Sequence, residues 1–153
     1  MRTVRLDVPE PTTAFWRAHR EGTPIALRTS GTTGAARTIV RSTCSWTRSF
    51  APLIERTGLH AGDRMWIPGP LDSTMNLFSA CLCEYAGAVW DSRPEGASWA
   101  TLTPSWLARA LDSHAPMKAL VAGDGLSRAL WQRATALGWD VVHYYGAAEL
   151  SLV

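Results

Sequence analysis

Short apolar runs alternate with amphipathic stretches along the whole chain, the pattern of an α/β fold in which strands feed helices. Phe15, Trp16 and His19 fall on one helical face and predict an opening helix, capped by Thr12 or Thr13 and stopped near Gly22. Ile25 to Leu27 reads as a strand, a loop rich in glycine and hydroxyls follows, and Ile39-Val40 reads as the next strand. Trp46, Phe50, Ile54 and Thr57 recur at helical spacing with Gly58 as the stop, while Pro52 inside that pattern predicts a kink or a late start. Met65-Trp66-Ile67 is a short strand ended by Pro68-Gly69-Pro70.

The second half repeats the alternation. Ser73 to Tyr85 is apolar nearly all round, which predicts a buried helix. Ala88-Val89-Trp90 reads as a strand, and Thr103-Pro104 places a cap and a first-turn proline ahead of a helix carrying Leu107 and Leu111. Ala119-Leu120-Val121 is a strand; Ser127 caps a helix with Leu130, Ala134 and Leu137, and Gly138 ends it. Val141-Val142-His143-Tyr144-Tyr145 reads as a last strand. No internal repeat, low-complexity segment or linker interrupts the pattern, so residues 1–153 read as a single domain.

Composition narrows the class. Length suits one ordinary core, and 46% apolar against 18% charged residues excludes a disordered tail. The longest charge-free run, Gly96 to Ala108, contains Pro104 and falls short of the roughly 20 apolar residues a membrane helix needs. The N-terminal residues lack the apolar stretch of a secretory signal, and a cytoplasmic protein is expected. Lys118 is the only lysine among the fifteen basic residues, and no block of like charge marks a nucleic-acid footprint. Cys81 and Cys83 sit in an apolar segment with no second pair at zinc spacing, so they read as buried, reduced thiols. Trp66, Trp90, Trp99 and Trp106 are expected to fill the core, with lining a pocket as the alternative, and His19, His60, His114 and His143 are expected at the surface or satisfied within the core.

Thr29-Ser30-Gly31-Thr32-Thr33-Gly34-Ala35-Ala36-Arg37 is the segment richest in chemistry. Its glycines let the backbone turn and expose N–H groups, its hydroxyls add donors, and Arg37 adds a fixed cation. Together these make an anion cradle suited to phosphate oxygens. It lacks the Gly-Lys-Ser/Thr ending of a Walker A loop. By composition alone, a plain Gly/Thr surface loop explains the segment equally well.

In order along the chain, that loop, Ala122-Gly123-Asp124-Gly125-Leu126 and Tyr145-Gly146-Ala147-Ala148-Glu149 resemble three signatures of the adenylate-forming superfamily. The superfamily comprises acyl-CoA synthetases, nonribosomal adenylation domains and luciferases. The first resembles its phosphate loop Thr-Ser-Gly-Thr-Thr-Gly-x-Pro-Lys, the second its glycine-rich turn, and the third its Tyr-Gly-x-Thr-Glu. Pro70-Leu71 and Thr103-Pro104-Ser105 also fall where the family has such elements.

The resemblance implies an α/β fold with a mostly parallel sheet between helices, part of the family's large N-terminal domain. It implies ATP-dependent activation of a carboxylic acid through an acyl-adenylate, with magnesium as cofactor and coenzyme A as the acceptor in the full enzyme. The compact start is similar to that of o-succinylbenzoate–CoA ligase-like members. Thr29, Ser30, Gly31, Thr32, Thr33 and Gly34 would wrap the phosphates, with Thr33, Arg37 and Glu149 as the catalytic set. Glu149 would hold the magnesium ion. Gly123, Asp124 and Gly125 would run along the nucleotide's edge, with Tyr145 and Gly146 against the adenine. Without the motif, Glu149 reads as a solvated carboxylate and Tyr145 as a core aromatic.

Departures from the family pattern are specific. Pro-Lys is replaced by Ala36-Arg37, which keeps charge but presents a planar fork. The threonine before the glutamate is Ala148, and Asp72-Ser73 stands where many members have an aromatic–histidine pair. The chain ends soon after the third signature, so an incomplete enzyme is expected, inactive alone. A noncatalytic nucleotide- or phosphate-binding module, or a half-enzyme completed by a partner chain, are the alternatives. Self-association is a further expectation, because later chain would cover the last strand in the family's fold.

Overall fold

In a computed structural model, residues 2–29, 36–147 and 151–152 are described. The chain opens with β1 (Val4–Arg5), α1 (Pro11–Arg20), β2 (Ile25–Arg28), β3 (Thr38–Arg41) and α2 (Cys44–Thr57). β1 lies parallel to β2, and β2 and β3 form an antiparallel hairpin in the register Ile25↔Arg41 to Arg28↔Thr38. Helix α1 starts at Pro11, ahead of the threonines expected to cap it, and no side chain caps it. A proline in the first turn needs no N–H partner and presets φ, so the helix starts without a cap. The late start suggested by Pro52 does not occur either. Trp46 and Phe50, each at most 1% exposed, anchor the first half of α2. Burying two large aromatics outweighs the roughly 3 kcal/mol a proline costs inside a helix.

β4 (Arg64–Trp66), α3 (Thr74–Ala86), β5 (Val89–Asp91), β6 (Trp99–Leu102), α4 (Pro104–Ser113), β7 (Lys118–Val121), α5 (Arg128–Ala136) and β8 (Asp140–His143) follow. Their five strands form one parallel sheet in the order β5-β4-β6-β7-β8. Two short strands, β9 (Gly146–Ala147) and β10 (Ser151–Leu152), close the chain as an antiparallel pair. The expected mostly parallel α/β architecture is the observed one. β6, a fully buried central strand, has no counterpart among the strands expected from the pattern.

Alternation along the parallel strands divides two cores. Met65, Ile67, Trp99 and Leu120 face one side, where they meet Phe15 of α1, Trp46 and Phe50 of α2, and Leu77, Phe78 and Leu82 of α3. Trp66, Ala100, Leu102, Ala119 and Val121 face the other side, against Leu107 and Ala110 of α4 and Ala134 of α5. Aromatic rings tie the first core together: Trp46 and Phe50 each meet Phe78 edge-on, with centroids 5.4 and 5.2 Å apart. Helix α3 is buried all round from Asn76 to Cys83, as its composition predicts. Cys81 and Cys83 are buried free thiols, whereas Cys44 is exposed. Trp66 and Trp99 are core residues and Trp90 is half-buried, but Trp106 lies exposed on α4. Among the described residues no helix is long and apolar enough to cross a membrane.

Candidate functional site

Parallel strands deliver all their following loops to one edge. Chain order makes that edge distinctive: β4 is followed outward by β5, after which the chain returns across β4 to β6 and continues outward through β7 and β8. The strand order therefore reverses between β4 and β6, and crevices at such switch points are where open α/β sheets take ligands. The segments leaving this edge are Ile67 to Pro70 after β4, Thr103 after β6, Gly123-Asp124-Gly125 after β7 and Tyr144-Tyr145-Gly146 after β8.

Each segment has a local reason for its shape. Gly123 holds a φ of +87°, and a Cβ there would sit 3.5 Å from Thr103 Cγ2 and 3.6 Å from Met75 Sδ, so the turn lies close to both neighbours. The Gly125 N–H donates to Asp124 Oδ1 at 2.7 Å, which closes the turn on itself. A Cβ on Gly125 would meet nothing within 4 Å, so this side of the turn is open. Thr103 caps α4 by accepting the Trp106 N–H at 3.3 Å. The Asn76 amide donates to the Pro70 carbonyl at 3.0 Å and holds the segment after β4.

The strand expected to run to Tyr145 ends at His143. Tyr144 packs against the first core, and burial pushes its hydroxyl up to about 12. Tyr145 is 66% exposed, so the core role open to it from the sequence falls to its neighbour, and its ring face is available at the sheet edge. Two bonds tie this segment to β7 and the turn after it: the Tyr144 N–H donates to the carbonyl of Val121, at the end of β7, at 3.1 Å, and His143 Nε2 lies 3.2 Å from the Asp124 carbonyl in the turn. Gly123-Asp124-Gly125 and Tyr145-Gly146 thus follow two adjacent strands and leave the same edge of the sheet. His143 was not among the expected site residues; its position two residues before Tyr145 was the available signal.

The glycine- and hydroxyl-rich segment connects β2 to β3 of the hairpin. Its base is closed by the Thr29 N–H donating to the Arg37 carbonyl at 2.9 Å, and by the Arg37 N–H donating to Thr29 Oγ1 at 3.2 Å. Ser30, Gly31, Thr32, Thr33 and Gly34 lie outside the described residues, as does Glu149. Helix α2 begins three residues after this hairpin, and β10 lies beside it. β10 pairs with β9 in the register Leu152↔Gly146 and Ser151↔Ala147. Among the described residues no group of three or more His, Cys, Asp or Glu side chains could hold a metal ion.

The described part of the site is thus an open glycine turn and an exposed tyrosine at the reversal edge of a parallel sheet. No protein-family model and no curated protein sequence matches the chain. Solved structures do. A variant of E. coli MenE with bound OSB-AMS superposes at TM-score 0.74 with 22% identity, over 86% of this chain and 32% of that one. The anthranilate CoA ligase AuaEII, in complex with anthranoyl-AMP, gives 0.72 and 17% over 86% and 31%. The O-succinylbenzoate coenzyme A synthetase MenE of Bacillus subtilis, in complex with ATP and a magnesium ion, gives 0.67 and 19% over 80% and 30%. This chain has the fold of part of the adenylate-forming acyl-CoA ligases whose motifs it resembles, and spans about a third of the length of these structures.

Proposed function

We propose that this chain is the nucleotide-binding part of an ATP-dependent ligase that activates a carboxylic acid, with an acyl-CoA as final product. The observation that carries the reading is the pairing of the Gly123–Gly125 turn with Tyr145-Gly146 at the reversal edge of the parallel sheet. The base would lie on the Tyr145 ring and along the glycine turn. Ser30, Thr32 and Thr33, with the amides of Gly31 and Gly34, would direct donors at the phosphates, and Arg37 would add a cation at the hairpin's base. Magnesium, held by Glu149 and phosphate oxygens, would neutralise charge on the nucleotide. In the reaction the acid's carboxylate oxygen bonds to the α-phosphorus as the bond to pyrophosphate breaks. The hairpin donors stabilise the negative charge that grows on the leaving group.

Lys118, the only lysine, favours binding over turnover by this 153-residue chain. It starts β7, at the opposite end of the strand from the glycine turn, with its ammonium 5.3 Å from the Trp99 ring centroid. It is therefore not placed to meet a carboxylate at the site. Losing one charged transition-state contact costs about 10²-fold or more. Calorimetry with millimolar Mg-ATP should show weak binding, and silence from folded protein would overturn the reading. Acid-dependent exchange of labelled pyrophosphate into ATP should be near background; robust exchange would show that the chain suffices for catalysis.

A further inference from the structure

His143 belongs to none of the motifs that suggested the site, yet it makes one of the two contacts joining the two halves of the candidate base-binding edge. Its Nε2 lies 3.2 Å from the Asp124 carbonyl oxygen. A carbonyl only accepts, so Nε2 carries the hydrogen and the ring donates. Packing otherwise holds the turn at its two ends, Gly123 close to Thr103 and Met75 and Leu126 against the second core, and leaves Asp124 and Gly125 between them. Gly123 sits in the left-handed region, Gly125 faces open space, and the Asp124–Gly125 contact is internal to the turn. Behind it the Ala122 N–H donates to the Leu102 carbonyl at 3.1 Å, which anchors only the turn's entry.

We infer that His143 is a positioning residue: it locks the far side of the Gly123–Gly125 turn to the end of β8 and so sets the turn's distance from Tyr145. The inference rests on the nucleotide-binding reading above. An exposed hydrogen bond contributes little to global stability. Its effect is on local order, because a turn of two glycines samples many conformations when it is untethered.

The test compares the full chain with H143A and H143Q; glutamine restores an N–H donor on a side chain of similar reach. Exchange of the Gly125 amide, followed by NMR, should be faster in H143A and close to native in H143Q, with unchanged thermal midpoints. Affinity for Mg-ATP should fall about 3- to 10-fold in H143A, the range set by loss of one hydrogen bond, and recover in H143Q. Unchanged exchange in H143A, or altered exchange with unchanged affinity, would overturn the inference. If the native chain binds no ATP, the functional reading fails; Gly125 exchange still decides whether the lock exists.

Discussion

Asn76 shows how a single side chain can shape the edge of the sheet. It is buried on α3, its amide donates to the Pro70 carbonyl, and Gly69 leaves it the room to do so. A Cβ at Gly69 would lie 2.5 Å from Asn76 Nδ2. Gly69→Ala therefore displaces a buried amide from its acceptor, and a loss of about 1–3 kcal/mol is expected in urea unfolding. Asp63 acts at the opposite edge. Burial works to raise its pKa, but the His60 N–H at 3.0 Å and the Ser98 hydroxyl at 2.8 Å outweigh it, and the carboxyl is held below its usual value. A lowered folded pKa contributes stability that is complete above the unfolded value, near 4, and lost as pH falls through the folded one. Acid titration of stability should be shallower below about pH 4 in Asp63→Asn than in the native chain; identical slopes would dismiss this carboxylate as a contributor.

Elements are decided by packing as much as by local preference. Pro52 is exposed within α2 and withholds a hydrogen bond from the turn before it. Pro52→Ala restores that donor and should stabilise the chain by about 2 kcal/mol, read from the urea midpoint. Helices α4 and α5 carry the caps expected of them: Thr103 accepts from Trp106 and Ser127 from Leu130, because a hydroxyl at the N-cap satisfies a backbone N–H the helix itself cannot. β6 went unread for a physical reason. Trp99-Ala100-Thr101-Leu102 is buried on both faces, so it shows no alternation, and four residues are too short a run to mark a strand by period. It becomes a strand because β4 and β7 pair with it on both sides.

At the scale of the whole molecule, one parallel sheet separates two cores, and the cysteines report on that enclosure. Burial pushes the Cys83 thiol up to about 12 and raises Cys81 further, while Cys44 is exposed on α2. A thiol reagent should label Cys44 alone in the folded chain and all three cysteines in denaturant; rapid native labelling of Cys81 or Cys83 would contradict the buried helix. Because both buried thiols are raised in the fold, their contribution is complete below the unfolded value, about 8.5, and is lost as pH rises toward the folded ones. Alkaline unfolding should begin in that window.

The sequence by itself determined the class of fold and most of its elements. Hydrophobic period and turn residues are local properties, and Gly58, Gly138, Thr103 and Ser127 act within a few residues of where they stand. It also marked the hairpin loop and the two later turns, since glycine, hydroxyl and aromatic residues leave a visible pattern. Only tertiary structure decided which tyrosine faces solvent, because Tyr144 and Tyr145 are equivalent in any local reading until α3 covers one face of the sheet. The same holds for His143 and Asn76. Their partners, Asp124 and Pro70, lie on other segments, and that proximity is set by strand order and register, which no local pattern encodes.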